Sequence, residues 1–328
     1  MNIEHKIPTG YEGKGGIRAA ILAKSVNVHQ PELKPIVTFL IDFPRFILPE
    51  FNTHRSTSKC GASSRAIPVA KQIERVLANP VIPMHFGKNQ AGMVAESELS
   101  GEDLKEAKRL WLKASDEMSA IADYLNYYKV HKQVVNRLLE PFSMMRMVVT
   151  GTEWDNFFWL RLHKDADPHI AELARVMLHA YQQTESVGLD NTCWHVPFFD
   201  RGYWTPDIHG HYGTTAQEAI NHSMSCCAQT SYRKLDMSEG KAEDIIRKLF
   251  GGDRNHSSPS ENQAHPICYD FGVDQPTVTH QSRNGDLWSN NLRGWGQYRT
   301  LIPNNNCTNF DFGQAIDTSD IKTDVDMF

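Results

Sequence analysis

The sequence predicts an α+β protein, a single domain of 328 residues with a large helical part. Two runs near the start, 17–28 and 34–48, have the apolar content of strands, and amphipathic helical patterns follow them. The chain is long enough to bury a substantial core. It contains no internal repeat and no long low-complexity linker, so residues 1–328 are interpreted as one domain.

The run 34–48 shows why a strand is expected early in the chain. Its residues alternate between two faces that are both largely apolar, so the strand should be covered on both sides. One face carries Ile36, Thr38, Leu40 and Asp42, and the other carries Val37, Phe39, Ile41 and Phe43. Pro44 interrupts the run, and Pro49 marks a boundary before the next segment.

The spacing of apolar side chains predicts the helices. Residues 102–127 repeat apolar side chains at alternating steps of three and four, which is typical of an amphipathic helix. A second helix is expected at 130–140, stopping before Pro141. Further helices are expected at 152–162, 167–186, 214–229 and 239–250. Irregular structure is expected at 67–100, at 189–213 and from 251 onward.

Composition excludes some classes of function. The net charge of −5 and the pI near 6.3 argue against a protein that coats nucleic acid or lies on a membrane surface. No apolar run is long enough to span a membrane, and the start lacks a signal-peptide core. The six cysteines fit neither a zinc ribbon nor a disulfide framework, so we expect free thiols, a cytoplasmic protein and no bound metal.

The segment 53–65, which reads THRSTSKCGASSR, is rich in polar and small residues and follows the second strand. Gly61 and the serines permit backbone N–H groups to approach a phosphate closely, and Arg65 can supply a charge-assisted fork. This pattern favours a nucleotide-phosphate site. A polar loop with capping serines is the alternative, because anion capture makes few demands on sequence.

This segment resembles the signature of the flavin-dependent thymidylate synthases (the ThyX family), Arg-His-Arg-x2-Ser-x-Asn-Glu-x-Ser-x-Arg-Tyr. The matching positions hold His54, Arg55, Ser58, Ser63 and Arg65. A second stretch, 130–161, also resembles the family, which has an arginine ending a helix, then a Leu-Pro-Leu-like turn, then Asn-Phe-Leu-x-Leu-Arg. Arg137, residues 139–142 and the run from Asn156 to Arg161 follow that order and spacing.

The resemblance implies a fold, a reaction and partners. The fold would be ThyX-like, with a mixed or antiparallel sheet. The reaction would be methylation at C5 of a pyrimidine deoxynucleotide monophosphate, of the dUMP-to-dTMP type. FAD would be the cofactor, and NADPH and methylenetetrahydrofolate would be cosubstrates. The assembly would be a homotetramer with flavin sites between subunits.

The resemblance also implies roles for individual residues. Arg161, which would contact the pyrimidine, and Ser63 would be catalytic. The nucleotide would be held by Glu50, Ser63, Ser64, Arg65, Arg137 and Arg161. The flavin would be held by His54, Arg55, Asn156, His256, Ser258 and Glu261. Plain alternatives exist for two of them, with Arg137 as a charge at a helix C-terminus and Asn156 as a buried amide.

The last three flavin residues belong to a block that is out of order. Family members carry a small-residue strand motif, a helix and Gly-His-x-Thr-Pro-x-Glu-His before the signature. Here 225–262 resembles that block, with SCCAQTSY, an amphipathic helix and His256-x-Ser258-Pro259-x-Glu261. We therefore expect a circular permutation, in which about 214–265 corresponds to the family's N-terminal block. The alternative is a solvent-exposed loop after a helix.

Several positions depart from the family signature. Thr53 replaces its first arginine, which removes a positive charge near the flavin and the base, and Cys60-Gly61 replaces Asn-Glu. Cys60 would be reactive if Arg55 lowered the pKa of its thiol, and inert otherwise. Thr53 and Gly61 favour an alternative function, a non-catalytic nucleotide-binding protein.

Glu50 stands where the family usually has glutamine. A carboxylate accepts a hydrogen bond from the exocyclic amine of cytosine, so we expect dCMP to bind better than dUMP. The chain would then be a dCMP methylase or hydroxymethylase serving modified DNA. The alternative is that Glu50 pairs with Arg45 or Arg55.

Two further features lie outside the resemblance. His195, His209, His211 and Asp207 would suit a metal-dependent hydrolase, but they lack the helical i, i+4 spacing of such sites. The tail 288–302 carries Arg293, Trp295, Tyr298 and Arg299. These side chains would either stack on a ligand or pack a C-terminal element onto the core, and the second interpretation is favoured.

Overall fold

The computed structural model describes residues 8–231, 235–252 and 255–307, and these residues have the α+β architecture predicted from the sequence. Within them, no helix is long and apolar enough to cross a membrane. The first seven residues, two short pieces of the third block (232–234 and 253–254) and the last part of the tail (308–328) lie outside the described residues.

Six strands form the central sheet. They are β1 (Tyr11–Glu12), β2 (Arg18–Asn27), β3 (Ile36–Pro44), β4 (Thr57–Gly61), β5 (Met144–Gly151) and β6 (Val187–Leu189). Their order is β1-β2-β3-β5-β4, and β6 pairs with the free edge of part of β2. The β2–β6 pair is parallel and the other pairs are antiparallel, which confirms a mixed sheet.

The strand β3 is covered on both faces, as its sequence predicts. Val37, Phe39, Ile41 and Phe43 are fully buried in the main core cluster. Ile36 and Thr38 on the opposite face are fully buried as well. Because β3 lies between β2 and β5, it fixes the position of the edge strand β4, which carries the signature segment.

Eight α-helices surround the sheet. They are α1 (Leu48–Asn52), α2 (Val69–Ala78), α3 (Gly101–Tyr127), α4 (Lys132–Val135), α5 (Asp155–Arg161), α6 (Pro168–Gln183), α7 (Ala216–Ala228) and α8 (Glu239–Phe250) among the described residues. The helices predicted at 102–127, 152–162, 167–186, 214–229 and 239–250 are confirmed, with ends that differ by a few residues.

Two predictions in the helical part were wrong. Residues 67–100 contain α2, which buries Val69 and Val76 on one face and begins directly after Pro68. The prolines around it concealed this short helix. The helix expected at 130–140 ends at Val135, and the chain tightens into a 3-10 helix, Asn136–Phe142, that includes Pro141.

The part of the chain after residue 189 is more ordered than the sequence suggested. It contains β7 (Trp194–His195), β8 (Tyr203–Trp204), β9 (Ala264–Pro266), β10 (His280–Gln281), β11 (Leu287–Ser289), β12 (Leu292–Arg293) and β13 (Trp295–Gln297). The predictions of irregular structure at 189–213 and beyond 251 were therefore wrong at these residues. The strands are only two or three residues long, so they leave little periodicity in the sequence.

The tail packs onto the core, which confirms the favoured interpretation. Trp295 is fully buried, and the guanidinium of Arg293 forms two hydrogen bonds with Glu153, at 2.7 and 2.9 Å. Arg299 pairs with Glu261 of the third block. These contacts tie the last described strands to the part of the molecule that holds the signature segment.

The histidines of the metal-hydrolase alternative have separate structural roles. His195 is fully buried and bonds Ser25 at 3.0 Å and Thr38 at 2.8 Å. His209 bonds Asp200 at 3.1 Å. In the described ranges, no three His, Cys, Asp or Glu side chains are grouped so that they could hold a metal ion.

Candidate functional site

The signature segment begins at the end of α1, continues as β4 and ends in a 3-10 turn, Ser64–Ala66. Because side chains alternate along a strand, β4 turns Ser58 and Cys60 inward, where both are buried, and leaves Lys59 on the other face. The five-residue strand separates the two ends of the segment by roughly 15 Å. We call them the histidine end (Thr53, His54 and Lys59, with Arg161) and the serine end (Ser63, Ser64 and Arg65, with Arg137).

At the histidine end, two motifs that are distant in sequence meet. The Nε of Arg161 donates a hydrogen bond to Nε2 of His54 at 2.8 Å, across a separation of 107 residues. The Nη2 of Arg161 donates to Thr53 Oγ1 at 2.9 Å and to the Glu50 carbonyl at 3.4 Å. The ring of His54 also lies against Phe157, with its centroid 4.9 Å away. The guanidinium is therefore held by three neutral acceptors.

The hydrogen bond from Arg161 determines the state of His54. Since a guanidinium can only donate, Nε2 of His54 must accept and its proton must be on Nδ1. The pKa of His54 agrees with a neutral ring, because burial and the charges of Arg161 and Lys59 lower it to about 4. A neutral imidazole at this place presents an N–H donor and carries no charge of its own.

Three other predicted residues at this end are exposed. Glu50, Arg55 and Asn156 form no side-chain hydrogen bond or ion pair with described residues. Asn156 is thus not a buried amide. The pairing alternative for Glu50 also fails for Arg45, which instead pairs with Glu140 at 3.2 Å. Their side chains are available to a ligand or to another chain.

At the serine end, a buried amide joins the two motifs. The side chain of Asn136 donates to the carbonyls of Ser64 and Ile67, at 2.7 and 2.8 Å. This contact places Arg137, the next residue of the 3-10 helix, beside the turn that carries Arg65. Both arginines are exposed and form no ion pair with described residues. Arg137 follows the α4 C-cap, Asn136, and lies in the first turn of the 3-10 helix.

The serines themselves are partly used in structure. Ser63 caps the turn by accepting from the Arg65 backbone N–H at 3.3 Å, and its own N–H donates to Ser231. Ser64 is buried and donates from Oγ to Glu140 at 2.7 Å. The capping role considered for these serines is therefore real, and it orders the turn that presents Arg65.

A cleft of about 430 Å³ lies beside the serine end, and Ser64 lines it together with three arginines. Arg45 is paired with Glu140, and Arg146 is paired with Asp42 at 2.7 Å. Arg75, at the end of α2, has no ion pair with a described residue. The exposed Arg65 and Arg137 do not line this cleft.

The third block lies against the signature strand. The thiol of Cys60 donates to the Ser258 carbonyl at 3.4 Å, and Gln297 bridges Ser58 Oγ and the Glu261 carbonyl, each at 3.1 Å. His256 and Ser258 expose their side chains, whereas Glu261 is half-buried. The block is thus next to the signature. Its equivalence to the family's N-terminal block stays a prediction.

Cys60 is an inert thiol in this environment. Burial raises its pKa to about 12, and the amide of Asn262 contacts the sulfur at 3.4 Å. The reactive interpretation, in which Arg55 lowers the pKa, was wrong because Arg55 is exposed and the thiol faces the core. All six cysteines are free, as expected.

Sequence reasoning missed Lys59 and Gln297 as residues of this region. Lys59 occupies a variable position of the signature, and its side chain becomes relevant only because a strand places it beside His54. The alternation Thr57, Ser58, Lys59, Cys60 would have indicated this, had the segment been recognised as a strand. No local pattern marks Gln297, which reaches Ser58 from 239 residues away.

No protein-family model and no curated protein matches the chain. Among solved structures, a UMP/dUMP methylase, PolB from Streptomyces cacaoi, bound with 5-Br dUMP, has a TM-score of 0.43 and 15% identity, covering 53% of this chain and 93% of that one. The same enzyme bound with 5-Br UMP has a TM-score of 0.38 and 14% identity, covering 52% and 94%. Likeness at this level assigns neither a family nor a function to the chain.

Proposed function

We propose that the chain methylates C5 of a pyrimidine deoxynucleotide monophosphate, in a flavin-dependent reaction of the dUMP-to-dTMP type. The observation that carries this proposal is the hydrogen bond of 2.8 Å between Arg161 and His54. These residues belong to two separate motifs that resemble the flavin-dependent thymidylate synthases. The contact at Asn136 joins the same two motifs at the serine end.

Arg161 is the proposed catalytic residue at the base. Its Nε and Nη2 are bonded to His54 and Thr53, which fixes the plane of the guanidinium. The charge would stabilise electron density on a pyrimidine carbonyl and so make C5 more nucleophilic. His54 stays neutral, so it positions the guanidinium of Arg161 without adding a second positive charge beside the pyrimidine carbonyl.

The serine end is the proposed phosphate site. The ordered turn of Ser63 and Ser64 presents Arg65, and the neighbouring 3-10 helix presents Arg137. Two uncommitted guanidinium groups beside a serine turn suit a phosphate monoester. Ser63 would act here through its ordered backbone and hydroxyl, next to the nucleotide.

The residues at the histidine end fit a flavin in part. The neutral imidazole of His54, held by the half-buried Arg161, would lie against the flavin ring, and Arg55 and Asn156 are exposed beside it. His256, Ser258 and Glu261 would close the site from the third block. When bound, FAD supplies the redox chemistry, with NADPH as reductant and methylenetetrahydrofolate as the carbon donor.

A homotetramer is part of the proposal. Trp159, beside Arg161 on α5, is 76% exposed, and Leu160 and Leu162 are about 40% exposed on the same short segment. Apolar side chains of this kind beside a binding site suit contact with another subunit. Such a contact would also cover the exposed Asn156.

A dCMP methylase or hydroxymethylase is the second candidate. It is favoured by Glu50, whose carboxylate forms no hydrogen bond or ion pair with the described residues and is free to accept from a cytosine amine.

A visible absorption spectrum tests the proposal first. The purified protein should retain about one flavin per subunit after addition of FAD and desalting. It should then convert dUMP or dCMP in the presence of NADPH and methylenetetrahydrofolate. A colourless protein that also refuses added FAD would contradict the proposed reaction, and a non-catalytic nucleotide-binding protein would become the better interpretation.

A further inference from the structure

We propose that Lys59 is a further binding residue of this site and that its ammonium group binds a phosphate of the bound ligand. The inference rests on the proposed function for the identity of that ligand. The phosphate would come from the pyrophosphate of FAD or from the monophosphate of the nucleotide. Both have the same chemistry, and the experiment below distinguishes them.

The position of Lys59 supports this role. Its Nζ donates to the carbonyl of His54 at 2.6 Å, and it lies 5.7 Å from the centroid of the Phe51 ring. The carbonyl belongs to the same residue whose ring accepts from Arg161. Two cations therefore flank His54, one at its main chain and one at its side chain.

The charges at the histidine end do not balance. Lys59 and Arg161 are both half-buried, and neither forms an ion pair with a described carboxylate. Glu261 is close enough to influence Lys59, but its carboxylate is already paired with Arg299. Burial lowers the pKa of Lys59, so the charged form is less favourable here than in water. An anionic ligand would offset this cost.

Another lysine shows what a structural role looks like. Lys24 on β2 donates to the carbonyls of Tyr181 and Thr184, at 2.8 and 2.7 Å, and lies 4.0 Å from the Tyr181 ring centroid. Those carbonyls lie at the end of α6, a helix of 16 residues, so its C-terminal dipole favours the ammonium group. Burial lowers the pKa of Lys24 too, so the two lysines differ in their hydrogen-bond partners and not in the direction of this shift. Lys59 has one such carbonyl, after a helix of five residues.

Lys59 also lies near a position where this chain lacks a positive charge that the family signature has. Thr53 stands where the family signature has arginine, and its hydroxyl accepts from Arg161. If Lys59 supplies the missing positive charge, an arginine at position 53 should restore it. This gives the proposal a test by rescue as well as by loss.

The experiment measures the affinity of five probes for the full chain and its variants. The probes are FAD, riboflavin, dUMP, deoxyuridine and inorganic pyrophosphate. The variants are Lys59→Met, Lys59→Gln, Lys59→Arg and the double variant Thr53→Arg/Lys59→Met. Lys24→Met is the matched control, because it removes an ammonium that also donates to a carbonyl beside an aromatic ring and that lies outside the signature segment. Thermal melts identify any variant that fails to fold, and Lys59→Gln keeps a donor for the His54 carbonyl.

We expect Lys59→Met and Lys59→Gln to weaken FAD binding about tenfold or more, as expected for loss of a charged hydrogen bond, and to leave riboflavin within about twofold. Lys59→Arg, the double variant and Lys24→Met should stay near the wild type. A loss confined to dUMP, with deoxyuridine unchanged, would assign the phosphate to the nucleotide instead.

Other outcomes overturn the inference. Equal losses for FAD and riboflavin would show that Lys59 acts on structure alone, and unchanged affinities would show that it binds no phosphate. If the wild type binds neither flavin nor nucleotide, the proposed function fails. The phosphate role of Lys59 is then judged by pyrophosphate, and binding that is absent or insensitive to Lys59→Met overturns it.

Discussion

The two ends of the signature segment differ in how they hold their cations. At the histidine end, Arg161 and Lys59 are half-buried and bonded to protein acceptors. At the serine end, Arg65 and Arg137 are exposed, and what is buried is the Asn136 amide that fixes the backbone between them. One end therefore has its charges in place before a ligand arrives, whereas the other has only its scaffold in place.

This difference suggests separate tasks. A preorganised charge acts most strongly on electron density that develops during a reaction, because no side chain has to move at that moment. An exposed arginine on an ordered turn gains its interaction on binding and contributes mainly to affinity. We therefore expect variants at the histidine end to affect turnover most, and variants at the serine end to affect nucleotide affinity.

The largest effect is expected for Arg161→Leu. It removes the charge at the base and leaves His54 and Thr53 without their donor. Turnover of the preferred nucleotide should fall about 100-fold, within the range measured when a preorganised donor is removed. Steady-state kinetics with saturating flavin check this, and Arg109→Leu, an exposed arginine on α3, is the control.

A fall in apparent nucleotide affinity alone, with turnover intact, would break the comparison, because Arg161 would then bind the ground state only.

A smaller effect is expected at the serine end. Arg65→Ala and Arg137→Ala should each weaken dUMP binding about tenfold and leave deoxyuridine unchanged, since each removes one charge-assisted contact to the phosphate. Titration calorimetry measures both. Arg75→Ala is the matched control, because Arg75 is also exposed and forms no ion pair within the described part of the chain, but it lines the neighbouring cleft. If Arg75→Ala weakens dUMP and Arg65→Ala does not, the phosphate lies in the cleft.

Periodicity in the sequence predicted the elements with a regular apolar pattern, the strand β3 and the helix α3. The resemblance selected two motifs, and their contact through Arg161 and His54 was found only in the structure. The strand β4 could not be recognised, because its five residues are polar or small and pair with β5 almost 90 residues later. The prolines around α2 concealed that helix, and the short C-terminal strands leave too little periodicity to be recognised.

Because the strand β4 was missed, the chemical states of two of its residues were missed as well. Cys60 became inert and Lys59 became a neighbour of His54 once alternation along β4 was known. The contact from Gln297 to Ser58 depends on the tertiary fold, and no sequence pattern at either residue indicates it. Local pattern and the resemblance thus selected the candidate residues, and long-range pairing decided which way each side chain points.

Glu50 tests the choice of base at the histidine end. Its side chain pairs with none of the described residues, so Glu50→Gln should shift the preference from dCMP toward dUMP, because a glutamine can donate to the uracil carbonyl. We expect the ratio of dCMP to dUMP affinity to change about tenfold, within the range of one bidentate contact. Competition between the two nucleotides measures the ratio. An unchanged ratio would mean that Glu50 is not beside the base.

The smallest effect is expected from pH, and it too separates the two ends. His54 has a pKa of about 4 in the folded chain and near 6.5 when unfolded. Between these values the unfolded chain binds a proton that the folded chain excludes, so stability should fall as pH drops from about 6.5 to 4 and level off below. Since the ring is half-exposed, its contribution to the free energy of unfolding is only about 1 kcal/mol.

His54→Gln, whose amide oxygen can still accept from Arg161, tests this contribution. Between pH 7 and 4 this variant should lose about 1 kcal/mol less stability than the wild type in denaturant unfolding. Arg65→Ala should follow the wild-type curve, because no proton uptake by His54 depends on the serine end. Parallel curves for wild type and His54→Gln would mean that the pKa of His54 is the same in the folded and unfolded chain, and then neither burial nor the hydrogen bond from Arg161 would act on the imidazole as described.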